Sequence, residues 1–398
     1  MSQTLPLQGL RILAIEQYGA GPFGTQHLAD LGAEVIKIEN PHDGGDVGRF
    51  VGPYFFGDRN SHFYQAFNRN KKSICLDLKS PDGQSTLKEL AKQVDAVFNN
   101  LRGDLPDKLG VTYDKLKLVK PEIVCAHLSA YGREGPRAAW PGYDYLMQAE
   151  AGYLSLTGEP DGPPSRFGLS IIDLMTGTTA ALALVSAVLG ARATGQGRDI
   201  DVSLYDVAMH NLAYVATWYL NDGHVTKRLP RSAHPSLVPS QLYKTQDGWI
   251  FIMCNKEKFW PILARELGRP DLAEHPDFRT FADRLKNKAQ FDQVIESVLT
   301  QKTTLEWMDG FEGKVPAAPV YDVAQALDNP FFRERSGVVV AQADNGEHYL
   351  GVASPIRCPN MPLPQQAAPP LGAHTLEVLR AAGLTDQQIQ YLQENKVV

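Results

Sequence analysis

Residues 10–39 read LRILAIEQYGAGPFGTQHLADLGAEVIKIE. Residues 10–16 (LRILAIE) are a short apolar run of strand character. Residues 22–31 carry helical spacing and open on Pro22, which suits a first helical position. Residues 34–39 (EVIKIE) alternate as a strand does. Strand, helix and strand in so short a span predict a βαβ unit, hence parallel pairing.

The same rhythm continues outward. Residues 73–78, 96–101 and 123–128 are strand candidates, and 82–93 is a helix between the first two. Residues 173–192 are rich in Ala and Leu and end at Gly195 and Gly197, which predicts a buried helix. Residues 199–204 follow as a strand and 205–221 as an amphipathic helix. From Gly223 to Ser240 the chain turns polar and rich in Pro and Gly, as a linker does. Residues 242–254, with Gln246-Asp247-Gly248 between apolar runs, predict a β-hairpin. Helical patterns run to about Gly313, strands return over 337–356, a Pro-rich connector covers 359–370, and 375–395 is a closing helix. No internal repeat is visible.

A chain of 398 residues exceeds what one core usually serves, so two domains are expected. Apolar residues at 43% and charged residues at 21% match an ordinary soluble protein. The net charge of −6 argues against a nucleic-acid partner. Cys75, Cys125, Cys254 and Cys358 are far apart and suit buried thiols in a reducing compartment. The opening MSQTLPLQGL lacks the basic and apolar regions of a signal peptide. No uncharged apolar run of membrane-spanning length is expected. A cytoplasmic enzyme is the expectation.

Gly19-Ala20-Gly21-Pro22-Phe23-Gly24 satisfies G-x-G-x-x-G between a strand and a helix, and Glu39 lies twenty residues beyond Gly19. That is the dinucleotide fingerprint in outline. Free N–H groups at a helix start favour any phosphate-like ligand, and a tight turn without ligand satisfies the same pattern. Asp173 stands where Leu169-Ser170-Ile171-Ile172 gives way to the apolar helix. Two readings are open: a helix N-cap, or a carboxylate nucleophile. In Pro141-Gly142-Tyr143-Asp144, with Gln148 beyond, Tyr143 offers a hydroxyl to a developing oxyanion. Arg69-Asn70-Lys71-Lys72 with Lys79 suits either phosphates or, more often, a solvated face. The histidines form no HExxH, there is no G-x-S-x-G elbow, and Gln196 stands where a P-loop needs Lys.

Taken in order, LQGLRILAIEQYGAGPFGTQHLADLGAEVIKIENP, NRNKKSICLDLKSPDG, PGYDYLMQAEAGYLSLTGEPDGPP, DLMTGTTAALALVSAVLGARATGQGRDIDVSLYD and PPLGAHTLEVLRAAGLTDQQIQYL resemble the family III (CaiB/BaiF-type) CoA transferases and the related α-methylacyl-CoA racemases. The resemblance implies an α/β fold: a large Rossmann-like CoA-binding domain from both chain ends (1–222 and 331–398) and a smaller α+β domain (223–330). It also implies an interlocked homodimer. It makes Asp173 the nucleophile, in the context of Thr176 and Gly177. Tyr18, Gly19 and Ala20 would line the pantetheine arm and the active site, with Tyr143 and Gln148 in support. Leu76, Lys79, Asn100, Leu101 and Lys108 match CoA-contacting positions, and Asn40 stands where some members carry Arg near the adenine. Tyr143 replaces the catalytic His of the racemases, which favours transfer over racemisation.

The activity so implied moves CoA from an acyl thioester to a free carboxylic acid, with CoA as substrate and neither metal nor resident cofactor. The rival readings are a racemase, an NAD-dependent oxidoreductase and a non-catalytic acyl-CoA binder. Arg166, seven residues before Asp173, is a candidate partner for a second substrate carboxylate or a surface Arg.

Overall fold

The computed structural model describes residues 4–343, 346–358, 361 and 363–398. The chain divides into two compact units. The first holds residues 1–153, 166–222 and 336–398, and the second 154–165 and 223–335. The excursion at 154–165 has no hydrophobic period to betray it. It is fixed within the second unit by Arg228, whose guanidinium donates to the carbonyls of Thr157, Pro160, Gly162 and Pro163.

The first unit is built on strands β1 (Arg11–Ile15), β2 (Glu34–Glu39), β5 (Lys72–Cys75), β6 (Ala96–Asn99), β7 (Val124–Ser129) and β8 (Arg198–Ser203), with a short antiparallel pair, β3 (Phe55–Gly57) and β4 (Asn60–Ser61), between β2 and β5. The six long strands form one parallel sheet in the order β5-β2-β1-β6-β7-β8. Alternation along β1 feeds two cores. Ile12 and Ala14 pack on one face with the helices Ala20–Asp30 and Ile171–Thr194. Leu13 and Ile15 pack on the other with Leu87 and Leu90 and with Val378, Leu379, Ile389 and Leu392 from the chain's end. Both faces of a parallel sheet are thus covered, as its apolar strands require. After β1 the chain builds outward through β2 to β5, then crosses back to place β6 on the other side of β1. The carboxyl ends of β1 and β6 therefore flank a topological switch point, where open α/β sheets leave a crevice.

The second unit has an antiparallel hairpin, Ser240–Lys244 with Trp249–Met253, extended by Ala317–Pro319. Trp260, Phe291, Ile295, Trp307 and Phe311 fill its core.

Three expectations need correction. The helix expected over 205–221 is two, Leu204–His210 and Ala213–Asp222, broken where Ala213 adopts φ 46°. The closing helix is also two, Thr375–Ala381 and Asp386–Glu394. Gly383 at φ 92° ends the first, and a Thr385–Gln388 capping box starts the second. Helix Ile171–Thr194 is long and apolar enough to cross a membrane, contrary to expectation, but half of its apolar window is buried against its own unit. Of the connector expected at 359–370, residues 359, 360 and 362 lie outside the described residues.

Candidate active site

The loop after β1 is held from two sides. Gln17 donates its N–H to Asn100 Oδ1 (2.9 Å), and Asn100 Nδ2 returns a bond to Gln17 O (2.7 Å). This ties β1 to β6 at the switch point. Tyr18, at φ 66°, donates its N–H to Asp46 Oδ1 (2.9 Å). Asp46 is in turn paired with fully buried Lys37 at 2.7 Å. So fixed, the loop delivers Gly19 to the start of helix Ala20–Asp30. That helix starts two residues earlier than Pro22 predicts, and Pro22 falls in the first turn, where a missing N–H leaves no acceptor unsatisfied.

Each glycine of the fingerprint has its own steric reason. A Cβ on Gly19 would lie 3.0 Å from Asp173 Oδ2. One on Gly21 would meet Asn100 at 2.9 Å, and one on Gly24 would come within 2.4 Å of Gly177 O. The glycines let helix Ala20–Asp30 lie against helix Ile171–Thr194 and bring the loop's backbone beside an acid. Glu39 is no ribose ligand: its carboxylate is buried, taking Arg49 at 2.6 and 2.8 Å and Ser73 Oγ at 2.6 Å.

Asp173 sits in the first turn of its helix and is only 7% exposed. It does not cap that helix. The N–H groups of Ile172 and Asp173 go to Asp144 Oδ2 at 2.6 and 3.0 Å. Among the described residues no donor reaches the Asp173 carboxylate. Burial, then the charge of Asp144, pushes its pKa up to about 7. Burial thus holds this acid well above the ordinary carboxylate range, although a helix start favours the carboxylate form. Asp144 is a site residue that the sequence reading passed over, although it is adjacent to Tyr143.

Asp173 opens on a cavity of about 200 Å³ lined also by Tyr18, Gly19, Ala20, Asn100, Leu101 and Tyr143. A neighbouring cleft of about 400 Å³ is lined by Asn40, Leu76, Lys79, Leu105 and Leu109, and it shares Gln17 and Leu101 with the first. Together they follow the carboxyl ends of β2, β1 and β6. A larger cavity, about 680 Å³, lies elsewhere beside Arg49, Lys71 and Lys72, and none of the residues that the resemblance implies for the CoA site or the active site lines it.

Three expected residues stand apart. Gln148 is fully buried and does not line the cavity. It donates to Asp144 Oδ1 (2.6 Å) and to Leu169 O, and accepts from Phe167 N–H. Lys108 lines neither cavity and pairs with Asp104 at 2.7 Å. Arg166 stacks over Tyr145 and donates to the carbonyls of Phe167 and Gly168. The basic run 69–72 is mostly internal wiring. Arg69 and Asn70 bond Asp30, while Lys71 is buried on Glu16, Pro22 O and Asn68, its pKa lowered to about 8 by burial. Among the described residues no cluster of three His, Cys, Asp or Glu forms a metal site.

The profile of CoA-transferase family III matches residues 7–375. The chain belongs to CoA-transferase family III. It is 33% identical to the succinate–glutarate CoA-transferase of Agrobacterium fabrum, over 94% of this chain and 95% of that protein. It is 32% identical to the succinyl-CoA–D-citramalate CoA-transferase of Chloroflexus aurantiacus, over 99% and 98%. The crystal structure of a CaiB/BaiF family protein from Brucella suis superposes with a TM-score of 0.83 at 32% identity, covering 96% of this chain and all of that one. The chain is thus a CoA transferase, with CoA as substrate, and the oxidoreductase reading of the glycine fingerprint falls.

Proposed function

We propose that this family III enzyme exchanges CoA between two carboxylic acids through Asp173. The observation that carries the reading is a buried carboxylate that no donor reaches among the described residues, facing a cavity at the switch point. Asp173 attacks the acyl carbonyl carbon, the C–S bond breaks, and CoA leaves as thiolate from an acyl–aspartyl anhydride. The thiolate attacks the aspartyl carbonyl, releasing the donor carboxylate and leaving an aspartyl-CoA thioester. The acceptor carboxylate attacks that thioester and expels thiolate again. The thiolate then takes the new acyl group and restores Asp173. Each hard exchange becomes two easier displacements, and no net proton moves. Backbone N–H groups at the start of helix Ala20–Asp30, with the Tyr143 hydroxyl, stabilise each oxyanion.

Asn40, Leu76 and Lys79 receive the nucleotide end of CoA, and Leu101, Asn100 and the Tyr18-Gly19-Ala20 loop receive the pantetheine arm. Lys108 is left out of this assignment by its pairing with Asp104. The acids exchanged are dicarboxylic, as in the names of the two relatives. The enzyme works in the cytoplasm as a homodimer. Supporting the dimer, Leu182 and Leu189 on the Asp173 helix and Tyr214, Tyr219 and Leu220 on the helix Ala213–Asp222 are all more than half exposed.

The test crosses acyl-CoA donors with carboxylic acids, using wild type and Asp173→Asn. Hydroxylamine added during turnover should label the peptide that holds Asp173. A folded Asp173→Asn enzyme with near-normal exchange refutes the mechanism. Light scattering across dilution should hold at twice the 43.8 kDa chain mass, and a stable folded monomer refutes the dimer.

A further inference from the structure

A helix begins with N–H groups that need acceptors, and an acid in the first turn is their usual local partner. Here the local acid is excused. Ser170, at the cap position, makes no side-chain capping bond, and both Ile172 N–H and Asp173 N–H go to Asp144, which belongs to another helix, Asp144–Glu150. Asp144 is 3% exposed and is held by Gln148, which is itself fully buried and anchored on Leu169 O and Phe167 N–H. A chain of bonds thus runs from Gln148 through Asp144 to the peptide of Asp173.

We propose that Asp144 is the positioning residue of the site: by capping the helix from outside it leaves the Asp173 carboxylate uncommitted, and its own charge acts on that carboxylate across the intervening peptide. The proposal rests on the reading of Asp173 as nucleophile. The titratable and charged groups that line the same cavity as Asp173 are Tyr18 on the loop after β1, Tyr143 and Arg102; Tyr145, on the helix of Asp144, acts on Tyr18. Arg102 is engaged by Asp104 at 2.6 Å. Asp144 is the group whose charge raises the Asp173 pKa beyond what burial does.

Asp144→Asn keeps a capping oxygen and removes the charge. The wild-type profile of kcat/KM against pH should fall on the acid side with a midpoint near 7, where Asp173 takes up its proton. In Asp144→Asn that midpoint should move down by about one pH unit. One unit below the wild-type midpoint the variant then keeps about half of its plateau activity against roughly a tenth for wild type, a relative gain of about fivefold. The plateau itself should drop, because a less basic carboxylate is a weaker nucleophile.

A purely structural role lowers kcat/KM at every pH and leaves the midpoint in place, and that result overturns the proposal. If Asp144→Asn does not fold, Asp144→Ser, another neutral cap, carries the same test. If neither folds, the wild-type profile decides, and an acid midpoint near 4 overturns the proposal. Loss of this inference is distinct from loss of the nucleophile. In the first case Asp173→Asn is dead and the midpoint is unmoved; in the second Asp173→Asn is active and hydroxylamine leaves no label.

Discussion

Replacing Asp173 by Asn should stabilise the protein at pH 8 relative to pH 4, while abolishing transfer. Folding raises the Asp173 pKa from 3.8 to about 7. The native state therefore holds this proton more tightly than the unfolded chain does. The sign follows: the contribution is fully present below about pH 4 and is lost as pH rises through about 7. A gap of about three units at ~1.4 kcal/mol each gives roughly 4 kcal/mol of stability lost between those limits. With Asp173 only 7% exposed, solvent screens little of it. Asn is neutral throughout and escapes this loss. The stability difference between variant and wild type should accordingly grow by up to about 4 kcal/mol from pH 4 to pH 8. The fixed effect of burying an amide in place of a carboxylic acid is the same at both pH values and cancels from this comparison. Urea midpoints and slopes for both proteins at closely spaced pH values, with CoA exchange assayed on the same samples, measure it. Stability curves that run parallel from pH 4 to pH 8 would show that Asp173 is not strained toward its protonated form.

Gly19→Ala puts a Cβ 3.0 Å from Asp173 Oδ2. Exchange should fall at least a hundredfold with a small change in thermal midpoint, and an active Gly19→Ala enzyme contradicts the close approach. Gly24→Ala forces a Cβ to 2.4 Å from Gly177 O. Overpacking of this kind costs about 1–3 kcal/mol or more, which denaturant titration should show as a lower midpoint. Lys79→Ala should raise KM for acyl-CoA severalfold, and more so at low salt. Lys108→Ala should leave KM within about twofold, because its ammonium is exposed and already paired with Asp104; steady-state kinetics on both variants decides this.

Much of the fold was legible because it rests on period and punctuation. The runs at 10–16, 34–39, 73–78, 96–101 and 123–128 all became strands of one parallel sheet, with boundaries within a few residues. The breaks near 211 and 383 were missed because a helix interrupted by one residue in a left-handed conformation keeps almost the same apolar spacing on either side. The excursion at 154–165 was missed because it is held by Arg228 and by no apolar stripe.

An acid at the head of the long apolar helix and three glycines at the start of the first crossover helix can be read from the chain alone. Residue type and spacing are one-dimensional facts. Whether Asp173 caps its helix or faces a cavity with a free carboxylate was decided by Asp144, nearly thirty residues earlier in the chain, reaching the same helix start. Whether the glycines cradle a pyrophosphate or admit Asp173, Asn100 and Gly177 was likewise decided by what lies across from them. Hydrogen-bond competition and steric approach depend on which atoms share a volume, and only the folded chain brings those atoms together.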